Sequence, residues 1–139
     1  LAAAEFFRTP KADNERETAL NPAEILVEIQ LPIKGLKNAT YEVRHRHGFD
    51  WPYVTATVAF QLKGGTVSDA RVVLGHVAPV PWSVTKAAAV LDGAKVDAAL
   101  AAKCGETAIQ GARPLSGNAY KVQLVKTAVK RAVQEAAGV

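Results

Sequence analysis

The stretch that decides the fold is "YVTATVAFQLKGGTVSDARVVLGHV", residues 53–77. Its first part, residues 53–62, alternates apolar and polar side chains with the period of a half-buried strand. Gly64 and Gly65 follow, and they predict a tight hairpin turn because glycine tolerates positive φ. The second part then returns as an antiparallel strand. Its alternation slips near Asp69, which predicts a β-bulge there.

Two further strands are predicted upstream of this hairpin. In "EILVEIQLP", residues 24–32, four aliphatic side chains share one face and Pro32 closes the pattern. Residues 41–47 are the second candidate. The residues before these strands, 1–22, are polar and interrupted by proline, so we predict a linker or an extended arm.

Downstream of the hairpin the apolar period changes to that of helices. Ser83 is a candidate N-cap for a helix over residues 84–92. Residues 95–104, "KVDAALAAKC", predict a second helix, which we expect to stop at Gly105.

The last helix has the clearest pattern. Ser116 or Asn118 is expected to cap it, and Gly138 to end it. Its apolar stripe recurs at spacings of three and four residues: Val122, Val125, Val129, Ala132, Val133 and Ala136. Strands followed by helices predict an α+β domain, in which three helices pack on one face of an antiparallel sheet of three to four strands.

Composition narrows the function. The 139 residues are 49% hydrophobic and 22% charged, which suits one globular domain. The net charge is +4, but the basic residues are dispersed and aromatics are only 6%, so nucleic acid is not an expected partner. No apolar run approaches the roughly 18 residues that span a bilayer, so no membrane partner is expected. The chain starts at Leu1 and has no methionine, which favours a segment of a longer polypeptide.

Metal and catalytic sites are not supported by the residues alone. His45 and His47 share a face in a strand, and His76 could add a third nitrogen to a zinc site. The alternative, surface imidazoles, is favoured because only Asp50 is placed to orient any of them. Cys104 lies in an alanine-rich helix and is expected to be a small core residue. We therefore predict neither metal ligands nor catalytic residues.

The bend "RHRHGFDWP", residues 44–52, is the remaining candidate site. Gly48 and Pro52 bracket it, and Asp50 is suited to hydrogen-bond turn amides. Trp51 leaves two interpretations open. Core packing is favoured by pattern, whereas a tryptophan in a bend is also typical of interfaces and ligand sites.

Four landmarks in order make the chain resemble a known family: "ETALNPAEILVEIQLP" (17–32), "YEVRHRHGFDWPYVTATVAF" (41–60), "VSDARVVLGHVAPVPW" (67–82) and "GNAYKVQLVKTAVKRAV" (117–133). They are similar to the C-terminal domain of the FAD-binding subunit of molybdenum hydroxylases. This is the xanthine dehydrogenase, carbon monoxide dehydrogenase and aldehyde oxidoreductase family. The variants "FDWP" and "VAPVPW" resemble those of bacterial aldehyde oxidoreductases.

The resemblance implies an accessory domain that is not catalytic by itself. In such enzymes aldehyde- or purine-type substrates are oxidised at a molybdopterin subunit, and [2Fe–2S] clusters in an iron–sulfur subunit pass electrons to FAD and then to an external acceptor. FAD is bound mainly by N-terminal domains absent here, so residues 1–22 would be the arm leading from them and residues 23–139 the C-terminal domain. This fragment alone is expected to lack FAD. A cytoplasmic location is favoured, with periplasmic co-export as the alternative.

The resemblance also implies that the bend approaches the flavin. We expect Arg46 to position it electrostatically, Asp50 to hold the bend and Trp51 to pack near the ring. Three positions depart from the family pattern: Glu42 replaces a common lysine, His76 a common glycine and Ser83 a common arginine. The rival hypothesis is a stand-alone interaction module that binds a protein on its open sheet face.

Overall fold

In the computed structural model, which describes residues 1–31, 35–46, 48 and 50–139, one antiparallel sheet is packed against helices. Its strands lie in the order β1 (Lys37–Val43), β2 (Val54–Lys63), β3 (Thr66–Gly75) and β4 (Trp82–Ser83). A short α1 (Ala3–Phe6) precedes the sheet, and the other helices are α2 (Thr85–Leu91), α3 (Ala98–Ala108) and α4 (Tyr120–Ala137). The predicted α+β class, with four strands and three following helices, is confirmed.

The core lies between the sheet and α4. Alternate residues of β2 are fully buried, from Val54 to Phe60, as the alternation predicted. They meet α4, whose apolar stripe is buried except for Val122, which is half-buried. The helix α2 packs on β3, and α3 packs against both α2 and α4. No helix in the described part of the chain is long and apolar enough to cross a membrane.

The predicted hairpin and bulge are both confirmed. Gly64 and Gly65 have φ of 58° and 81°, the positive values that a tight β-hairpin turn requires. The pairing of β2 with β3 shifts register between Ala59 and Gln61. At the bulge Asp69 has φ of 54°, and the next amide, Ala70 N–H, donates to Asp92 Oδ1 at 3.0 Å.

The predicted strands upstream of the hairpin are partly wrong. Residues 24–31 form no strand, and their aliphatic side chains are exposed. An alternating segment forms a half-buried strand only where a neighbouring strand pairs with it. The described residues provide no such strand. The second strand runs over Lys37–Val43 rather than 41–47, because the chain bends at His45 and Arg46; His47 lies outside the described residues.

The two predicted N-caps, of α2 and α4, are also wrong. Ser83 belongs to β4, where it pairs with Val73, so Val84 takes the N-cap position of α2. Neither Ser116 nor Asn118 caps α4; Ala119 occupies that position. The Asn118 side chain instead accepts a hydrogen bond from the Leu115 N–H at 2.7 Å, which closes the preceding turn.

Glycine has opposite roles in the last two helices. Gly138 ends α4 with φ of 76°, as predicted. Gly105 does not end α3, which continues to Ala108. A methyl group at Gly105 would overlap the backbone carbonyl oxygen of Lys126, so this glycine allows α3 to pack closely on α4.

Candidate functional site

The bend at residues 44–52 projects from one end of the sheet as the connection between β1 and β2. Val43 pairs with Val54, and the Tyr53 N–H donates to the Val43 carbonyl at 2.8 Å. This closure fixes both ends of the connection on the sheet. Of the described residues between them, His45, Arg46, Gly48 and Trp51 are exposed.

Charged side chains brace this connection. Arg46 Nε donates to Asp50 Oδ2 at 3.2 Å, and Arg44 Nη1 donates to the Gly48 carbonyl at 3.2 Å while its other amino group pairs with Glu42. Asp50 thus contributes to the bend through its ion pair with Arg46, whereas residues 47 and 49, whose amides could also bond to it, lie outside the described residues. The Arg46 side chain is 77% exposed, so its ion pair orients the loop more than it stabilises the fold.

Trp51 is a largely exposed aromatic residue of the bend. Its side chain is 86% exposed, so the prediction that it packs in the core is wrong. The indole meets His76 edge to face, with ring centroids 6.1 Å apart and an interplanar angle of 84°. Most of the indole surface is exposed and is therefore available to another molecule.

A cleft of about 330 Å³ lies beside this indole. The residues that line it include Asp50 and Trp51 of the bend, Thr55 of β2, and His76. Arg44 also lines it, and Arg44 Nε is buried without a hydrogen-bond partner among the described residues. An unpaired buried donor is costly, so a polar group entering the cleft would be stabilised there. Arg46 is not among the residues that line the cleft.

Sequence reasoning missed Arg44 and its partner. Glu42 and Arg44 are two residues apart, which places them on one face at the end of β1, and this spacing was the available signal. Arg44 places a positive charge beside the acidic Glu42 at the end of β1.

His76 lines the same cleft. Its backbone has φ of 64°, a left-handed conformation that glycine adopts without strain. Its imidazole stands between Trp51 and the end of β3. Among the described residues no group of three or more His, Cys, Asp or Glu side chains could hold a metal ion, and His47, one candidate ligand, lies outside them.

Cys104 is a buried core residue, as predicted. Its side chain is fully buried in the core, and Sγ donates to the Ala87 carbonyl at 3.3 Å. Burial raises the pKa of the thiol to about 12. It is therefore a neutral packing residue between α3 and α2.

Comparison with known proteins agrees with this architecture. A family model described as the CO dehydrogenase flavoprotein C-terminal domain matches residues 39–136. The aldehyde oxidoreductase FAD-binding subunit PaoB of Escherichia coli (strain K12) is 30% identical over 138 residues. The match covers 98% of this chain but only 40% of PaoB, so the chain spans well under half of that relative.

Solved structures give the same result. Quinoline 2-oxidoreductase from Pseudomonas putida 86 superposes with a TM-score of 0.80 at 30% identity, covering 87% of this chain and 44% of that one. Carbon monoxide dehydrogenase from Hydrogenophaga pseudoflava superposes with a TM-score of 0.74 at 28% identity, covering 86% of this chain and 43% of that one. The family model spans residues 39–136, which is well over half of the chain. The chain therefore belongs to the CO dehydrogenase flavoprotein C-terminal domain family.

Proposed function

We propose that this chain is the domain of a molybdenum hydroxylase FAD subunit that closes over the flavin ring and is not catalytic by itself. The observation that carries the proposal is the exposed indole of Trp51, which a braced bend holds beside a cleft that charged residues also line. An aromatic surface left open by a fixed loop suits stacking against a flat ring. One relative, PaoB, is named as an FAD-binding subunit, which supports the assignment.

The residues present fit one side of a flavin rather than the whole of FAD. The cleft is at the lower end of the roughly 300–1,000 Å³ typical of small-molecule sites. Trp51 would pack near the ring, and Arg44 would donate to a polar ring edge. Arg46 would set the charge of the bend, with Asp50 holding it. FAD, when bound by other domains, would take electrons from [2Fe–2S] clusters and deliver them to an external acceptor.

The first prediction concerns Trp51 in the complete flavin subunit. Trp51→Ala should weaken FAD binding about fivefold, because an aromatic contact contributes on the order of 1 kcal/mol. It should also shift the visible absorbance of the flavin. Titration of the deflavinated subunit with FAD measures the first effect, and the spectrum measures the second.

Two variants control this experiment. Trp51→Phe keeps a flat apolar ring and should restore most of the affinity. Leu115→Ala removes an exposed apolar side chain that does not line the cleft and should change nothing. A subunit that folds but carries no flavin would sink the proposed function. Unchanged affinity and spectrum in Trp51→Ala would remove Trp51 from the site.

The partners follow from the same proposal. They are the subunit's own N-terminal FAD-binding domains, an iron–sulfur subunit and a molybdopterin subunit, acting together on an aldehyde- or purine-type substrate. Residues 1–22 would be the arm from the N-terminal domains and residues 23–139 the C-terminal domain, in a cytoplasmic enzyme or, alternatively, one co-exported to the periplasm. The exposed aliphatic residues in 24–31 support contact with such a partner, because exposed apolar patches mark interaction sites.

The second prediction tests this contact. In the isolated chain the amides of residues 24–31 should exchange with solvent nearly as fast as those of an unfolded peptide. In the complete subunit they should exchange at least about a hundredfold more slowly, because a neighbouring strand or domain would form hydrogen bonds with these amides. Hydrogen exchange followed by mass spectrometry measures both. Residues 11–17, exposed and polar, are the control, and equally fast exchange of 24–31 in both samples would contradict the contact.

The rival function, an interaction module that uses the open sheet face, is not favoured by that face. Thr40 and Thr57 share a hydrogen bond of 2.9 Å across it, and Thr55 and Gln61 are also on it. A protein-binding sheet face would need a larger apolar area at its centre.

A further inference from the structure

A second and larger cleft lies on the other side of His76. Its volume is about 670 Å³, well within the range of small-molecule sites. The cleft runs from the end of β3 and the segment leading to β4, across to the α3–α4 connection and the first turns of α4. His76 lines both clefts, so they are neighbours.

The floor of this cleft is apolar. Of its lining residues, Leu74 and Val125 are buried, while Ile109 and Val122 are half-buried. The indole of Trp82 is 53% exposed and adds a flat surface. Such a floor favours a flat apolar or aromatic body, which would cover these side chains and release water from them.

The rim of the cleft is cationic. Arg113 and Lys121 both line it, and among the described lining residues none is an Asp or Glu. Lys121 Nζ donates to the His76 carbonyl at 2.5 Å, which fixes the ammonium over the cleft. An ammonium has three donors, so Lys121 can hold this carbonyl and still bind an anion. A guanidinium nearby is suited to carboxylates, sulfonates and phosphates.

We propose that this cleft binds an amphipathic aromatic anion, with its flat body on the apolar floor and its acidic group at Arg113 and Lys121. The binding itself is a property of this chain. His76 also borders the cleft at Trp51, so the occupant would lie next to a flavin bound at Trp51. The class of molecule that this cleft would take is therefore an anionic aromatic electron acceptor. That last step rests on the proposed function.

Naphthoate is the probe for a direct test on the 139-residue chain, with neutral naphthamide as the matched control. Proton–nitrogen and methyl correlation spectra should show saturable shifts of the Trp82 indole N–H and of the Ile109 and Val122 methyl groups. The expected Kd for naphthoate is below about 1 mM. Naphthamide should bind about fivefold more weakly, and added salt should reduce this difference.

A charge reversal supplies the decisive comparison. Arg113→Glu should weaken naphthoate binding about tenfold and leave naphthamide almost unchanged. Lys130→Glu is the control. It makes the same kind of reversal at an exposed residue of α4 that lies about 13 Å along the helix from Lys121, and it should have little effect on naphthoate binding.

Three outcomes would overturn the proposal: no saturable shift at millimolar naphthoate, equal binding of both probes, or shifts centred on residues 24–31. The experiment contains no flavin. Failure of the subunit to bind FAD would therefore leave its result intact, and failure of naphthoate to bind would leave the flavin assignment intact.

Discussion

Iodoacetamide should alkylate Cys104 in the folded chain at least about a thousandfold more slowly than in the unfolded chain. The thiolate is the reactive species, and burial raises the pKa of this thiol from 9.0 to about 12. Each pKa unit is a tenfold change in thiolate fraction, so at about pH 8 the folded chain holds about a thousandth of the unfolded amount. Complete burial of the side chain blocks the reagent as well. Mass spectrometry of timed samples measures the rate.

Unfolding in urea provides the control, since alkylation should then reach the rate of a free cysteine. The same pKa shift has a second consequence. Because the folded pKa lies above the unfolded one, the stability that the neutral thiol contributes is present below pH 9 and is lost as the pH rises towards 12. Cys104→Ala should therefore lose less stability than the parent over that interval. Fast alkylation of the native chain would show that α3 does not bury this residue as described.

Gly105→Ala should lower the free energy of unfolding by about 2 kcal/mol, although the same change stabilises most helices. Alanine normally gains about 1 kcal/mol over glycine inside a helix. Here the added methyl group would overlap the Lys126 carbonyl oxygen, which is rigid backbone of α4. The two helices would have to separate, and the cost of such overpacking is about 1–3 kcal/mol or more. Thermal unfolding should show a fall of about 6–10 °C in Tm.

Gly117→Ala is the matched control for this substitution. A Cβ built at Gly117 meets no atom within 4 Å. Its replacement should leave the Tm nearly unchanged. If Gly105→Ala were as stable as the parent, the close approach of α3 to α4 would not be the reason for this glycine.

The elements that sequence reasoning predicted well are those specified by local signals. Two glycines with positive φ define the β2–β3 hairpin, and the slipped alternation at Asp69 marks the bulge. The apolar stripe on α4 is long enough for its period to identify which face of the helix is buried. In each case the neighbouring residues in the chain carry the whole signal.

The elements that were missed depend on contacts distant in sequence. The alternation in residues 24–31 states which side chains share a face, but not whether a neighbouring strand exists. The local sequence around Gly105 is typical of a helix end. The real reason for this glycine is the nearby Lys126 carbonyl oxygen, which the local sequence does not reveal.

The bend itself was predicted as the connection between two strands, and it does connect β1 to β2. The ion pair between Arg46 and Asp50 within it was not predicted. The preference for Trp51 in the core was wrong, because hydrophobicity alone does not say whether a bend points inward or outward. The roles of Arg46, Asp50 and Trp51 at a flavin remain predictions.

The uncovered aliphatic residues of 24–31 have a consequence for how a cell handles this polypeptide. Apolar, β-prone segments left open are templates for aggregation, and they are what chaperones hold and proteases remove. A chain made in excess of its partners would thus be cleared, whereas an assembled one would persist. The yield of soluble chain should accordingly follow the supply of whatever covers this segment, which makes co-expression a simple screen for it.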